Sequence, residues 1–283
     1  MLAGLRDIQR FTIAATDGDI GIIKDFLFDD RAWTIRYMYV DTHKWLPLGE
    51  KVLISPISLR EIDTDDEKIH VALSKQQVKE SPSIDEEKTV SREYEEILFS
   101  YLGYGYYWTG PGAWGEYAHP TALVNQQALE QANSNLEEHD KSKANHLRSI
   151  DELQGYDVIA GGETVGHIHD LILDTDNWEV PMLIIDTHNW LPGGKKLLLA
   201  PKHIDDINWL EQRVHCTLSA KDVELCPECD HEFPGNGSPR MIECSSCGNI
   251  FSIVSGDPVS DLELPSLRIY DISEEDGEIY SNI

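Results

Sequence analysis

Basic side chains are scarce in this sequence: 23 Lys and Arg stand against 51 Asp and Glu in 283 residues, a net charge of -28. A field of that sign repels phosphate backbones and anionic lipid headgroups, which disfavours nucleic acid as a main partner. Long apolar runs are also missing. No stretch approaches the roughly 18 uninterrupted apolar residues that cross a bilayer, and the opening MLAGLRDIQRF lacks the apolar region of a signal peptide. The expectation is a soluble, cytoplasmic protein without a membrane span. A Gly-rich phosphate loop, a nucleophile elbow and an HExxH helix are all lacking. No catalytic residue and no small-molecule substrate are therefore assigned, and a non-enzymatic role is expected.

Cysteine is sparse too, but its distribution is informative. Four of the five cysteines form Cys226-Pro-Glu-Cys229 and Cys244-Ser-Ser-Cys247-Gly, a C-x2-C-x14-C-x2-C array. Two such turns can bring four thiolates around one ion, and the pairing suits a metal site in a reducing compartment better than disulfides. Zn2+ is the expected metal, in a closed and therefore structural site; iron or an iron-sulfur cluster is the alternative, because spacing does not separate them. Cys216 is left over as an ordinary buried thiol.

What the chain does contain is a repeat. Shifted by the distance from Gly21 to Gly166, GIIKDFLFDDRAWTIRYMYVDTHKWLPLGEKVLISP falls without a gap on GHIHDLILDTDNWEVPMLIIDTHNWLPGGKKLLLAP. Gly21, Asp25, Asp29, Trp33, Asp41, Thr42, His43 and Trp45 recur as Gly166, Asp170, Asp174, Trp178, Asp186, Thr187, His188 and Trp190. Downstream, His70, Leu73, Ser74 and Val78 meet His215, Leu218, Ser219 and Val223; upstream, Leu5–Ile8 matches Leu147–Ile150 if three extra residues are allowed. Two copies mean two domains rather than a solenoid. Each copy has short β-type runs, at Ile20–Phe28, Ile35–Val40 and Val52–Ile54 in the first, bounded by turn residues such as Asp17-Gly18. So many short strands in so few residues are most simply satisfied by closing the sheet.

The predicted organisation is repeat 1 at 1–80, a helix and aromatic Gly-rich segment at 81–120, a polar linker at 121–146, repeat 2 at 147–224 and a cysteine knuckle at 225–283. Val90, Tyr94, Ile97, Leu98 and Tyr101 recur at helical spacing, with Ser91 and Gly103 suited to cap a helix near 91–102. Tyr104, Tyr106, Tyr107, Trp108 and Trp114 follow and are candidate partner-binding residues, or else a cover for the first repeat or a dimer seam.

The G-x-I-x-D start, the VDT-x-x-WLP turn and the K-V-L-I-S-P strand resemble the PRC-barrel family, and both repeats carry the pattern. SPSIDEEKTVSREYEEILFSYLGYGYYWTGPGAWGE resembles the tail that follows the barrel in stand-alone bacterial members. The resemblance implies two six-stranded small barrels of mainly β class used for protein docking, as in the photosynthetic reaction-centre H subunit and a ribosome maturation factor, without catalytic residues. From Arg240 onward the chain resembles the C-terminal half of a Rieske domain, although Cys247 stands where the second histidine ligand would be. A zinc-ribbon or rubredoxin-like knuckle is the expected form of this end.

The twin turns Asp41-Thr42-His43 with Trp45 and Asp186-Thr187-His188 with Trp190 hold groups capable of acid, base or ligand chemistry. Turn hydrogen bonding explains them as well. His167 and His169 alternate along one strand, but their counterparts Ile22 and Lys24 are not ligands. The leading expectation is an adaptor or scaffold with a protein partner or self-association. Electron transfer at the four cysteines and a ribosome or RNA-processing role are the alternatives.

Overall fold

The computed structural model describes residues 2–43, 51–82, 90–124, 146–191, 193–226, 228–229 and the short strands 241–243, 250–252, 271–275 and 278–282. The protein is mainly β, and it divides into two compact units, one of Met1–Gly155, Asp170–Pro181 and Phe233–Asn236 and one of Tyr156–His169, Met182–Glu232 and Gly237–Ile283.

In the first unit the order is β1 (Leu2–Gly4), a one-turn helix α1 (Leu5–Ile8), β2 (Thr12–Ala15), β3 (Gly18–Asp29), β4 (Thr34–Asp41), β5 (Lys51–Ile54), β6 (Leu59–Asp63), β7 (Lys68–Val71), α2 (Lys75–Lys79), α3 (Arg92–Leu102), β8 (Leu147–Ser149) and α4 (Ile150–Leu153). The second half of the chain supplies β9 (Asp157–Ala160), β10 (Glu163–Asp174), β11 (Met182–Asp186), β12 (Lys196–Leu199), β13 (Ile204–Asn208), β14 (Arg213–Cys216) and α5 (Ala220–Glu224). Two hairpins follow, β15 (Met241–Glu243) with β16 (Ile250–Ser252) and β17 (Asp271–Glu275) with β18 (Glu278–Asn282).

The three strands predicted in the first repeat are present, β3 and β4 extended at both ends and β5 by Lys51 at its start. The closed six-stranded barrels are not. The first sheet runs β5-β4-β3-β2-β7-β6 with β8 on β3, and the second β12-β11-β10-β9-β14-β13 with β1 on β10, so each is an open seven-stranded sheet. At the point where β5 would meet β6 the chain turns through a 3-10 helix, Pro56–Ser58, and the same turn recurs at Pro201–His203. Proline has no N–H for a ladder, so this segment bridges the ends instead of pairing them.

The seventh strand has a clear cause. β3 is twelve residues long, and its hairpin partner β2 covers it only from Gly18 to Ile22, while β4 pairs with its other edge as far as Asp29. An uncovered edge near Asp29 would leave backbone N–H and C=O groups unpaired. Leu147–Ser149 fills it, antiparallel to Leu27–Asp29. Likewise β9 covers β10 from Glu163 to His167, and Leu2–Gly4 covers Ile172–Asp174. The leading strand of each repeat thus completes the long strand of the other. Both exchanges lie inside the first unit, because the last five residues of β10 belong to it. The structural equivalence is also simpler than the gapped alignment upstream: Leu2–Ile8 corresponds to Leu147–Leu153 at the same offset as the rest, with no extra residues.

The repeated glycine has a steric reason. A Cβ on Gly21 would lie 2.1 Å from the Asp41 carbonyl oxygen, and one on Gly166 2.4 Å from that of Asp186. Only glycine lets the long strand approach its neighbour this closely.

Candidate functional site

The two Asp-Thr-His turns adopt one geometry. The Asp41 carboxylate accepts the His43 amide at 2.9 Å and pairs with His43 Nδ1 at 2.6 Å; Asp186 does the same with His188 at 2.9 and 2.7 Å. The His43 amide, the ring and Lys24 hold Asp41 below its usual range. For Asp186, burial pushes upward, but the His188 amide and ring and nearby His167 outweigh it and leave this carboxyl low as well. Both imidazoles are exposed. Thr42 and Thr187 are fully buried, and Thr187 exchanges hydrogen bonds with the Lys195 backbone at 2.7 and 3.0 Å. Trp190 is half-buried and its amide donates to the Thr187 carbonyl. Trp45 lies outside the described residues. Each dyad stands as a turn brace with its ring presented at the surface.

The helix after the first repeat forms as its spacing predicts. Ser91 accepts from the Tyr94 amide, and Gly103 ends α3 in the left-handed conformation. Its buried face carries Leu98, Phe99 and, against expectation for a carboxylate, Glu95 with no exposed surface. Burying a charge is costly unless it is paired and fully hydrogen-bonded. Glu95 Oε1 accepts from the hydroxyls of Tyr37 and Tyr107, both at 2.8 Å, and Oε2 from Arg92 at 2.8 Å. Burial and the Glu95 charge push both phenols well above their ordinary range. The helix, the first sheet and the aromatic segment are thereby tied at one point.

The aromatic candidates face inward around this point. Tyr104, Tyr106, Tyr107 and Trp114 are buried, and Trp108 is half-buried. Tyr106 and Trp108 stack on Phe99 at 6.3 and 5.5 Å, and the Arg92 guanidinium lies 4.0 Å from the Trp108 ring centre. A second cation, Arg36, is itself buried and sits 3.8 Å from the Tyr107 centroid and 4.8 Å from that of Trp114. It donates to the Ala113 carbonyl, and its guanidinium reaches Asp29 at 3.5 Å. Trp114 donates its indole N–H to the Asn177 carbonyl. The large hydrophobic side chains that α3 leaves exposed are Ile97 and Tyr101, one turn apart. Arg36 and Glu95 were not singled out from the sequence, because a lone charge inside a strand or helix carries no sign of burial.

The repeated aspartates Asp25 and Asp170 also find a role here. Asp25 accepts the Ser149 hydroxyl at 2.5 Å and the Asp151 amide at 3.1 Å, closing the first turn of α4. Asp170 accepts the Arg6 amide at 3.3 and 3.4 Å, closing the first turn of α1. Burial raises both carboxyls, Asp170 to about 7. Their recurrence was the available signal, but it did not say what each one touches.

Of the knuckle, Cys226 and Cys229 are described; Cys244 and Cys247 lie outside the described residues. Cys226 is buried, and Cys229 is fixed by its amide, which donates to the Lys196 carbonyl at 2.7 Å beside an antiparallel bridge between Leu197 and Glu228. This end of the CxxC turn is thus set on β12. A polar recess of about 700 Å3 in the second unit is lined by Thr164, Asp205, Asp206, Arg213, His215 and Cys216, among others. His167 and His169 are half-buried on β10. Among the described residues no helix is long and apolar enough to cross a membrane.

Comparison with known proteins places the second repeat. Residues 146–222 match the PRC-barrel domain. No curated protein matches the chain. The matched span starts at the strand that crosses to β3 and ends within α5, so it takes in the whole second repeat.

Proposed function

We propose that this protein is a non-enzymatic docking protein built from two PRC-type modules, the second matched directly and the first by repetition of its framework. The observation that carries the reading is the match of residues 146–222 to a domain used for protein interaction, together with the same strand order in the first sheet. The repeated polar residues support it. Asp25, Asp170, Asp41 and Asp186 spend their hydrogen bonds on turns and helix starts within the framework. The surface offered to a partner is the outer face of α3, where Ile97 and Tyr101 are 53% and 40% exposed. Adjacent apolar and aromatic groups of this kind form the core of a docking patch. Affinity capture from the native cell extract, comparing the parent chain with Ile97→Asp, tests it. A partner retained by the parent and lost by the variant is expected; the same proteins recovered with both would overturn the assignment.

The four cysteines are proposed to hold one Zn2+, bracing the C-terminal segment. Cys226 and Cys229 fit the start of such a site, with a buried first thiol and a turn fixed to β12. Four thiolates would close a tetrahedral shell, leaving no position for substrate.

A further inference from the structure

We propose that Leu2–Ile8 is an exchangeable arm, and that its socket on Asp170–Asp174 accepts the same arm from a second copy of this chain to give a symmetric, arm-exchanged dimer. The socket is incomplete without an arm, because β9 leaves this end of β10 uncovered. The structure holds two equivalent arms, and they are not held equally. The internal arm, Leu147–Leu153, has Ser149 at its helix start, whose hydroxyl both accepts from the Glu152 amide and donates to Asp25. In the N-terminal arm Gly4 takes that place and makes no side-chain cap. The internal arm leaves its helix through Gly155 at φ 86°; the N-terminal one leaves through Arg10 at φ 88°, a left-handed conformation that costs a side chain what glycine avoids. The charged groups facing Asp170 from α1 are Arg6 and Asp7, one favourable and one repulsive.

Of the two arms the N-terminal one is the more weakly held, lacking the side-chain cap and leaving its helix through a strained residue. Opening at Gln9-Arg10 frees it with relief of the strained hinge. Because Leu5 and Ile8 are only 1% exposed when the arm is docked, a freed arm is driven back onto a socket. A second copy offers an identical socket, so every contact re-forms and two arms crossing in opposite directions close a two-fold dimer.

The test mixes two forms of the full chain, one isotope-labelled with Leu2→Cys and one unlabelled with Asp174→Cys, positions that pair across the strands and are half-buried. After incubation at high concentration and mild oxidation, peptide mass spectrometry distinguishes a disulfide between positions 2 and 174 from any made by native cysteines. The double variant, oxidised at low concentration, is expected to form this link within one chain, and failure there would overturn the socket itself. The mixed sample is expected to form it between chains, with unmodified protein sedimenting at twice the chain mass. Monomer mass, or a dimer lacking the link between chains, would overturn the proposal.

Discussion

Thr34 and Glu179 occupy equivalent positions in the two repeats and face each other in an isolated antiparallel bridge. The bonds around them are reciprocal: the Ile35 amide donates to the Trp178 carbonyl at 2.8 Å, and the amide of its counterpart Val180 donates to the Trp33 carbonyl at 2.7 Å. Residue i meeting j while j meets i is the mark of a two-fold interface. Inside the first unit the chain carries such an interface between its own repeats, and the two exchanged strands with Asp25 and Asp170 belong to the same local symmetry.

Asp25→Ala removes the acceptor for a hydroxyl and an amide at the start of α4. The expected loss is about 1–3 kcal/mol, seen as a lower urea midpoint without loss of cooperativity. Asp170→Ala should cost less, because its bonds to the Arg6 amide are longer. Equal effects would argue against the difference between the arms.

Burial raises Asp170 to about 7 and Asp7 to about 6, against about 3.9 for a free aspartate. Between about pH 4 and 7 the folded chain keeps protons that the unfolded chain has released, so these groups lower stability as the pH rises through this window, and the effect levels off above it. Asp170→Asn keeps the acceptor oxygen and removes the titration. Urea melts of both proteins at pH 5 and pH 8 should show the parent losing about 1–3 kcal/mol more than the variant; parallel losses would count against a buried, proton-binding Asp170.

Arg10→Gly should stabilise the chain by about 0.5–1 kcal/mol, since φ 88° favours glycine and the Arg10 side chain is exposed. Gly155→Ala, at the equivalent hinge with φ 86°, should destabilise by a similar amount. Thermal melts of both variants check the pair.

Glu95→Ala leaves the Tyr37 hydroxyl without its acceptor inside the first unit and takes their carboxylate partner from half-buried Arg92 and from Tyr107, which keep only the bond between them. A loss of about 3–5 kcal/mol is expected, with a reduced near-ultraviolet circular dichroism signal as the rings around Phe99 loosen. Full retention of that signal and stability would mean that the aromatic segment is held by ring packing alone.

Elemental analysis of protein purified without added metal should find one zinc per chain and no visible absorption. Red or brown protein would transfer the cysteines to iron and reopen electron transfer.

The repeat, its strand-rich character, the capped helix at Arg92–Leu102 and the candidate thiolate array were legible from the sequence, because each depends on local spacing: glycine where backbones crowd, serine and glycine at helix ends, CxxC turns. The hydrophobic pattern did not say that the sheets stay open. The 3-10 turns at Pro56–Ser58 and Pro201–His203 bridge the sheet ends without pairing them, and the seventh strand was decided when a long strand outran its hairpin partner and the nearest free strand lay in the other repeat. Nor could sequence mark Glu95 and Arg36 as buried, since only packing surrounded them with hydroxyls, carbonyls and ring faces that offset the loss of water. Asp25 and Asp170 show the division most directly: recurrence made them visible, but their partners are more than 100 residues away in the chain, a distance that only folding removes.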